Sequence, residues 1–130
     1  MEVGLRDCLE VFQGATRLAL RDGHLSNGEK RLLVKLAHAL RLEEDEPRMV
    51  YDSVVGDTIL SAGRELVGQE KMMVYEQVLE AVLIHTDRSE DELMLVAYLR
   101  KAFQISDAEH RAITRSLDRQ LEQILSHIHI

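Results

Sequence analysis

The fold is decided by the stretch "RDGHLSNGEK", residues 21–30. It joins two segments in which apolar residues recur every three or four positions, the spacing typical of an amphipathic helix. Gly23 suits the left-handed backbone that ends a helix. Ser26 and Glu29 form a Ser-x-x-Glu capping box, in which each side chain accepts a backbone N–H at the start of the next helix. The stretch therefore predicts a tight turn between two helices, with Leu25 placed in the core.

The same stretch is similar to the second half of a calcium-binding EF-hand loop. If Glu29 is taken as the last ligand of such a loop, Gly23 falls at the position of its sharp turn. Leu18 and Leu20, however, then fall at the first and third positions, where calcium requires oxygen ligands. The sequence therefore excludes an EF-hand site here.

Two further capping boxes reveal an internal repeat. One lies at 106–109, and in the other Ser89 and Glu92 stand 63 positions after Ser26 and Glu29. Apolar residues match at the same offset in the pairs Phe12/Tyr75, Ala15/Val78, Leu33/Val96, Leu36/Leu99 and Leu40/Phe103. We expect two copies of a three-helix unit that pack together with pseudo-two-fold symmetry, because neither copy buries its apolar face alone.

The whole chain has the pattern of an all-α protein. Its 130 residues include one Pro and 45% hydrophobic residues, enough for one core, and no β-type alternation is sustained. We expect a single helical domain over 1–130, of about six to seven helices, with the repeat at roughly 8–54 and 71–117. The periodic segments predict helices over 2–20, 27–41, 45–55, 58–67, 69–85, 90–103 and 107–127.

The composition argues against several classes of function. The net charge of −7 argues against binding to nucleic acid, which needs a basic face. Cys8 is the only cysteine, so no disulfide forms within the chain, as in proteins of a reducing compartment. We expect no secretory signal, because the N-terminal residues lack a basic start and an apolar stretch, and the longest apolar run, 93–99, is far shorter than the roughly 20 residues that span a bilayer. We expect a cytoplasmic protein with no membrane span.

A known family shows a similar arrangement of turn and helix. The segments "RDGHLSNGEKRLLVKLAHALRL" and "HTDRSEDELMLVAYLRKAFQISDAEHRAI" resemble the two copies of the signature in the TerB-like family, which is named for tellurite resistance. The resemblance covers almost the whole chain, although the second copy lacks the Gly of the turn. It implies a small, non-enzymatic helical module of the stress response. Such a module binds a protein partner, sometimes in membrane-associated machinery, and has an acidic surface thought to bind divalent metal ions.

Four carboxylates match the acidic signature of that family: Asp22, Glu29, Asp87 and Glu92. One interpretation is that they converge where the two turns meet and bind Ca²⁺, Mg²⁺ or Mn²⁺, since clustered carboxylates favour hard cations. The other is that the two glutamates are helix caps and the two aspartates are solvated turn residues.

The sequence shows no motif of an enzyme. The segment "GRELVGQE", 63–70, has the glycine spacing of a phosphate-binding loop but lacks its Lys and Ser/Thr, and His-Glu-x-x-His is absent. We therefore expect neither catalysis nor an organic cofactor.

The last helix offers an alternative function. Its apolar stripe continues almost to the C-terminus through Ile113, Leu117, Leu121, Ile124 and Ile128. Under this alternative the protein is a structural or assembly subunit that forms a homodimer, or docks into a larger complex, through this helix.

Overall fold

The computed structural model describes residues 7–56, 63–84 and 90–128. Within these ranges the chain forms six helices and no strand, which confirms the predicted all-α fold. The helices are α1 (Cys8–Ala19), α2 (Asn27–Ala39), α3 (Glu46–Gly56), α4 (Gly68–Ile84), α5 (Glu90–Ala102) and α6 (Asp107–Ile128). None of these helices combines the length and the apolar character needed to cross a membrane.

The predicted helix over 58–67 is wrong for residues 63–67, which form no helix; residues 57–62 lie outside the described ranges. The backbone here is held by the start of α1 instead. The carboxylate of Asp7 accepts the N–H of Gly63, and the N–H of Cys8 donates to the Arg64 carbonyl at 2.9 Å. These partners are far away in the sequence, so the tertiary contacts override the local helical pattern.

The core is formed by one cluster of buried apolar residues from all six helices and from the segment before α4. Helix α1 packs against α2, α3 and α5, while α2 also packs against α4 and α5. Burying each large apolar side chain contributes about 1.5–3 kcal/mol relative to its exposure to water. The packing holds the two predicted halves together as one unit, because helices of the first half contact helices of the second.

The contact between α1 and α5 depends on a glycine. The hydroxyl of Tyr98 donates a hydrogen bond to the Val11 carbonyl at 3.1 Å and lies directly over Gly14. A Cβ atom at Gly14 would stand 2.0 Å from the Tyr98 oxygen. Only a residue without a side chain therefore allows this approach of the two helices.

Helices α2 and α5 have the same length and end in the same way, at the 63-residue offset seen in the sequence. Arg41 and Gln104 follow them, and both have a left-handed φ of 56°. The next residues, Leu42 and Ile105, donate their N–H groups to the carbonyl five positions earlier, at 3.1 and 3.0 Å. This bond is the mark of a Schellman helix end. The recurring geometry favours the predicted repeat.

The apolar stripe of the last helix begins inside the core. Ile113 and Leu117 are buried, so they are not available to a partner. The side chains of Leu121, Ile124 and Ile128 lie outside the described residues. That these three residues mediate dimerisation or docking through the end of α6 stays a prediction.

Candidate functional site

The turn that opens the sequence has the predicted capping box. Oε1 of Glu29 accepts the Ser26 N–H at 3.0 Å, and Oγ of Ser26 accepts the Glu29 N–H at 3.1 Å. Ser106 and Glu109 form the same pair of bonds at 2.9 and 3.1 Å. The third predicted capping box pairs Ser89 with Glu92, and Ser89 lies outside the described residues. The carboxylate of Glu29 is thus occupied in starting α2.

Two of the predicted metal ligands, Glu29 and Glu92, are buried in the first turns of their helices. Both residues have 1% of their surface exposed. A Cβ atom on Gly28 would stand 2.9 Å from Oε1 of Glu92, so the Glu92 carboxylate packs against the residue that precedes Glu29. The first turns of α2 and α5 therefore meet at Gly28.

The third predicted ligand, Asp22, is exposed rather than buried. The side chain of Asp22 is 48% exposed and its carboxylate accepts the His24 N–H at 3.5 Å, as in a solvated turn. Asp87 lies outside the described residues. Among the residues that are described, no three His, Cys, Asp or Glu side chains group to hold a metal ion. The metal site formed by all four carboxylates stays a prediction.

A polar bridge fixes the opening turn to α5. Nη2 of Arg21 lies 2.8 Å from Oδ1 of Asp91 and 3.3 Å from the sulfur of Met94. Because both charged side chains are about one-third exposed, the pair contributes at most about 1 kcal/mol. Its role is to orient the turn, since the buried contacts supply most of the stability.

The single thiol lies in the core. Cys8 is buried, and desolvation raises its pKa above the ordinary value. A thiol that stays protonated is a weak nucleophile and a weak metal ligand. Cys8 therefore has the properties of an apolar core residue.

An apolar groove with a volume of about 540 Å³ lies between α1, α2 and the start of α3. This volume falls in the range of about 300–1,000 Å³ that is usual for binding sites. The floor is formed by four buried side chains: Phe12, Thr16, Leu33 and Ala37. No sequence motif points to this groove, because its lining comes from three separate helices.

The walls of the groove carry exposed apolar side chains. One wall is a column on α2 that contains Lys30, Val34 and His38, and the other is formed mainly by Pro47 and Tyr51 of α3. Val34 is 57% exposed and Tyr51 is 38% exposed. Both side chains therefore offer apolar surface to a ligand, next to floor residues that are buried from water.

In the second half, the residue that corresponds to Ala37 is an arginine. Arg100 stands 63 positions after Ala37. Its Nε donates to the Ile105 carbonyl at 3.2 Å, and its Nη2 forms an ion pair with Asp107. The second half thus has a long charged side chain with two polar contacts where the first half has a methyl group.

Two further differences between the halves also exchange an apolar residue for a polar one. Tyr75 corresponds to Phe12, and His110 corresponds to Pro47. The Tyr75 hydroxyl and Nδ1 of His110 are 2.8 Å apart and share a hydrogen bond. In the first half Phe12 and Pro47 cannot form this bond, so the groove keeps an apolar surface.

No known protein family, curated protein or solved structure matches the chain. The resemblance to the TerB-like family stays a prediction.

Proposed function

We propose that this protein is a non-catalytic helical module that binds a protein partner through the groove between α1, α2 and α3. The observation that supports this is the exposed apolar surface of Val34 and Tyr51 beside a dry floor. Contiguous apolar surface that faces water is unfavourable for a free protein, and it commonly marks a site of interaction.

The contrast between the two halves strengthens the proposal. Where the second half has Arg100, which pairs with Asp107, the first half has Ala37. If the groove had no ligand, a larger residue at this position would bury more apolar surface and stabilise the fold. The small residue on the groove floor is therefore consistent with binding.

The TerB-like resemblance adds two elements to the proposal: a role in the stress response, and a divalent cation bound by Asp22, Glu29, Asp87 and Glu92. A cation that binds only the folded state raises its stability by mass action. Thermal denaturation with Ca²⁺, Mg²⁺ and Mn²⁺ is the direct test. An equal melting temperature with and without millimolar metal would remove the cation from the proposal.

The proposed groove is tested by placing on its floor the residue that the second half has there. Ala37→Arg introduces a guanidinium seven positions before Glu44, the same spacing as Arg100 and Asp107. Peptides selected by display on the wild-type protein are expected to bind this variant at least about tenfold more weakly, the effect of losing about 1.4 kcal/mol.

A matched pair of valines supplies the control. Val34→Glu puts a charge on the groove wall, and Val55→Glu puts the same charge on α3 at a position that is 66% exposed and does not line the groove. We expect Val34→Glu to weaken the selected peptides and Val55→Glu to leave them within about twofold. Equal losses in the two variants would contradict a binding site in the groove.

A further inference from the structure

One end of the groove is acidic. Glu43 and Glu44 line it, and Asp45 follows them; all three are exposed. Within the described part of the chain, none of these three carboxylates takes part in an ion pair. A row of unpaired carboxylates beside an apolar surface favours ligands that carry a positive charge next to their apolar part.

The second half shows which group pairs with the equivalent carboxylate. The residue that corresponds to Ala37 is Arg100, and its guanidinium pairs with Asp107. The first half keeps the acidic residue, as Glu44, but has Ala37 in place of the arginine. It therefore offers the space for an arginine side chain and the carboxylate to pair with it, without supplying the cation.

We propose that the groove binds a basic amphipathic helix of a partner protein. One Arg or Lys side chain of that helix lies over Ala37, the counterpart of Arg100, and its charged end pairs with Glu44 as Arg100 pairs with Asp107. The inference rests on the proposed function and specifies the chemistry of the partner.

A helix fits this groove better than an extended segment. The walls are the sides of α2 and α3, whose backbone N–H and C=O groups are largely used within the helices, and the described residues offer no sheet edge to which a strand can be added. From Lys30 to His38 the α2 wall is about 12 Å long, given the rise of about 1.5 Å per residue. This length accommodates about two turns of a helix.

The test is a selection from a display library of helical peptides of about 18 residues. Peptides are selected on the wild-type protein after removal of those that bind Ala37→Arg. We expect the recovered sequences to share an apolar stripe with an Arg or Lys at one fixed place beside it. Their affinity is expected to fall about threefold to tenfold for Glu44→Gln, and to fall with added salt.

Glu90→Gln is the matched control, because it removes the same charge from an exposed position on α5 that does not line the groove. It should leave the affinity within about twofold. If Ala37→Arg has a lower melting temperature than the wild type, Val34→Glu takes its place in the selection.

The outcomes separate the inference from the proposed function. Recovered peptides that depend on the groove but carry no Arg or Lys, or that bind Glu44→Gln equally well, overturn the inference and leave the proposed function standing. Failure to recover any groove-dependent peptide overturns both. A wild-type dimer in light scattering that is lost in Ala37→Arg would show that a second copy is the occupant, which also overturns the inference.

Discussion

The close contact between Gly14 and Tyr98 makes a prediction whose sign depends on the partner residue. In an ordinary helix, Gly→Ala stabilises a protein by about 0.5–1 kcal/mol. At Gly14 the new Cβ would stand 2.0 Å from the Tyr98 oxygen and 2.7 Å from its Cζ, so the ring has to move. That movement breaks the hydrogen bond to the Val11 carbonyl, worth about 1 kcal/mol, and overpacking adds about 1–3 kcal/mol.

We therefore expect Gly14→Ala alone to lower the free energy of unfolding by about 1–3 kcal/mol. For a chain of this size that corresponds to a fall in melting temperature of roughly 3–10 °C. With Tyr98→Ala in the background, the obstacle is gone and Gly14→Ala should instead stabilise by about 0.5–1 kcal/mol.

Urea denaturation of the wild type, both single variants and the double variant gives the coupling energy, which should be about 1.5–4 kcal/mol. Two results would refute the reasoning. One is a stabilised Gly14→Ala variant in the presence of Tyr98. The other is a double variant whose stability equals the sum of the two single effects within about 0.5 kcal/mol.

Three further predictions concern the caps and Tyr98. Glu29→Ala should lower the free energy of unfolding by about 2–3 kcal/mol, because it leaves a cavity and removes the carboxylate that accepts the Ser26 N–H. Ser106 and Glu109 form the same capping box at an exposed site, so Glu109→Ala should lower the free energy of unfolding by clearly less. Equal losses for Glu29→Ala and Glu109→Ala in urea denaturation would contradict the role of burial. Arg41 has a left-handed backbone, so Arg41→Gly should raise the melting temperature and increase the free energy of unfolding by about 0.5–1 kcal/mol. An unchanged or lower melting temperature would argue against backbone strain at Arg41. Burial raises the pKa of Tyr98 to about 12 from 10.0, so its contribution to stability is complete below pH 10 and is lost as the pH rises towards 12. Unfolding measured across this pH range should show a shallower decline in Tyr98→Phe than in the wild type, and identical slopes would count against this assignment.

The helical architecture could be predicted because its signals are local. The capping box at Ser26 and Glu29 fixes the start of α2 at the predicted residue. The helical pattern around Gly63 led to a wrong prediction because the backbone there is held by a contact that is not local. Asp7 holds that backbone from 56 positions away, and no local pattern reports such a contact.

The candidate site was harder to predict because it lies in the differences between the halves. Matched residues, such as Leu36 and Leu99, show where the helices are but are common to both copies. The mismatch of Ala37 and Arg100 is visible in the sequence, yet its meaning depends on the bonds that Arg100 forms in three dimensions. The burial of Glu29 was also unexpected, since charged residues are rarely enclosed.

The ion pair between Arg100 and Asp107 has a consequence for how a charge preference can arise in a duplicated fold. Shortening one side chain in one copy leaves the acidic residue of that copy without its cation, so the change needs no new backbone. The same step at Arg100 would free Asp107. A chain altered in this way would have an unpaired carboxylate after both α2 and α5, which makes the number of such places depend on the length of a single side chain.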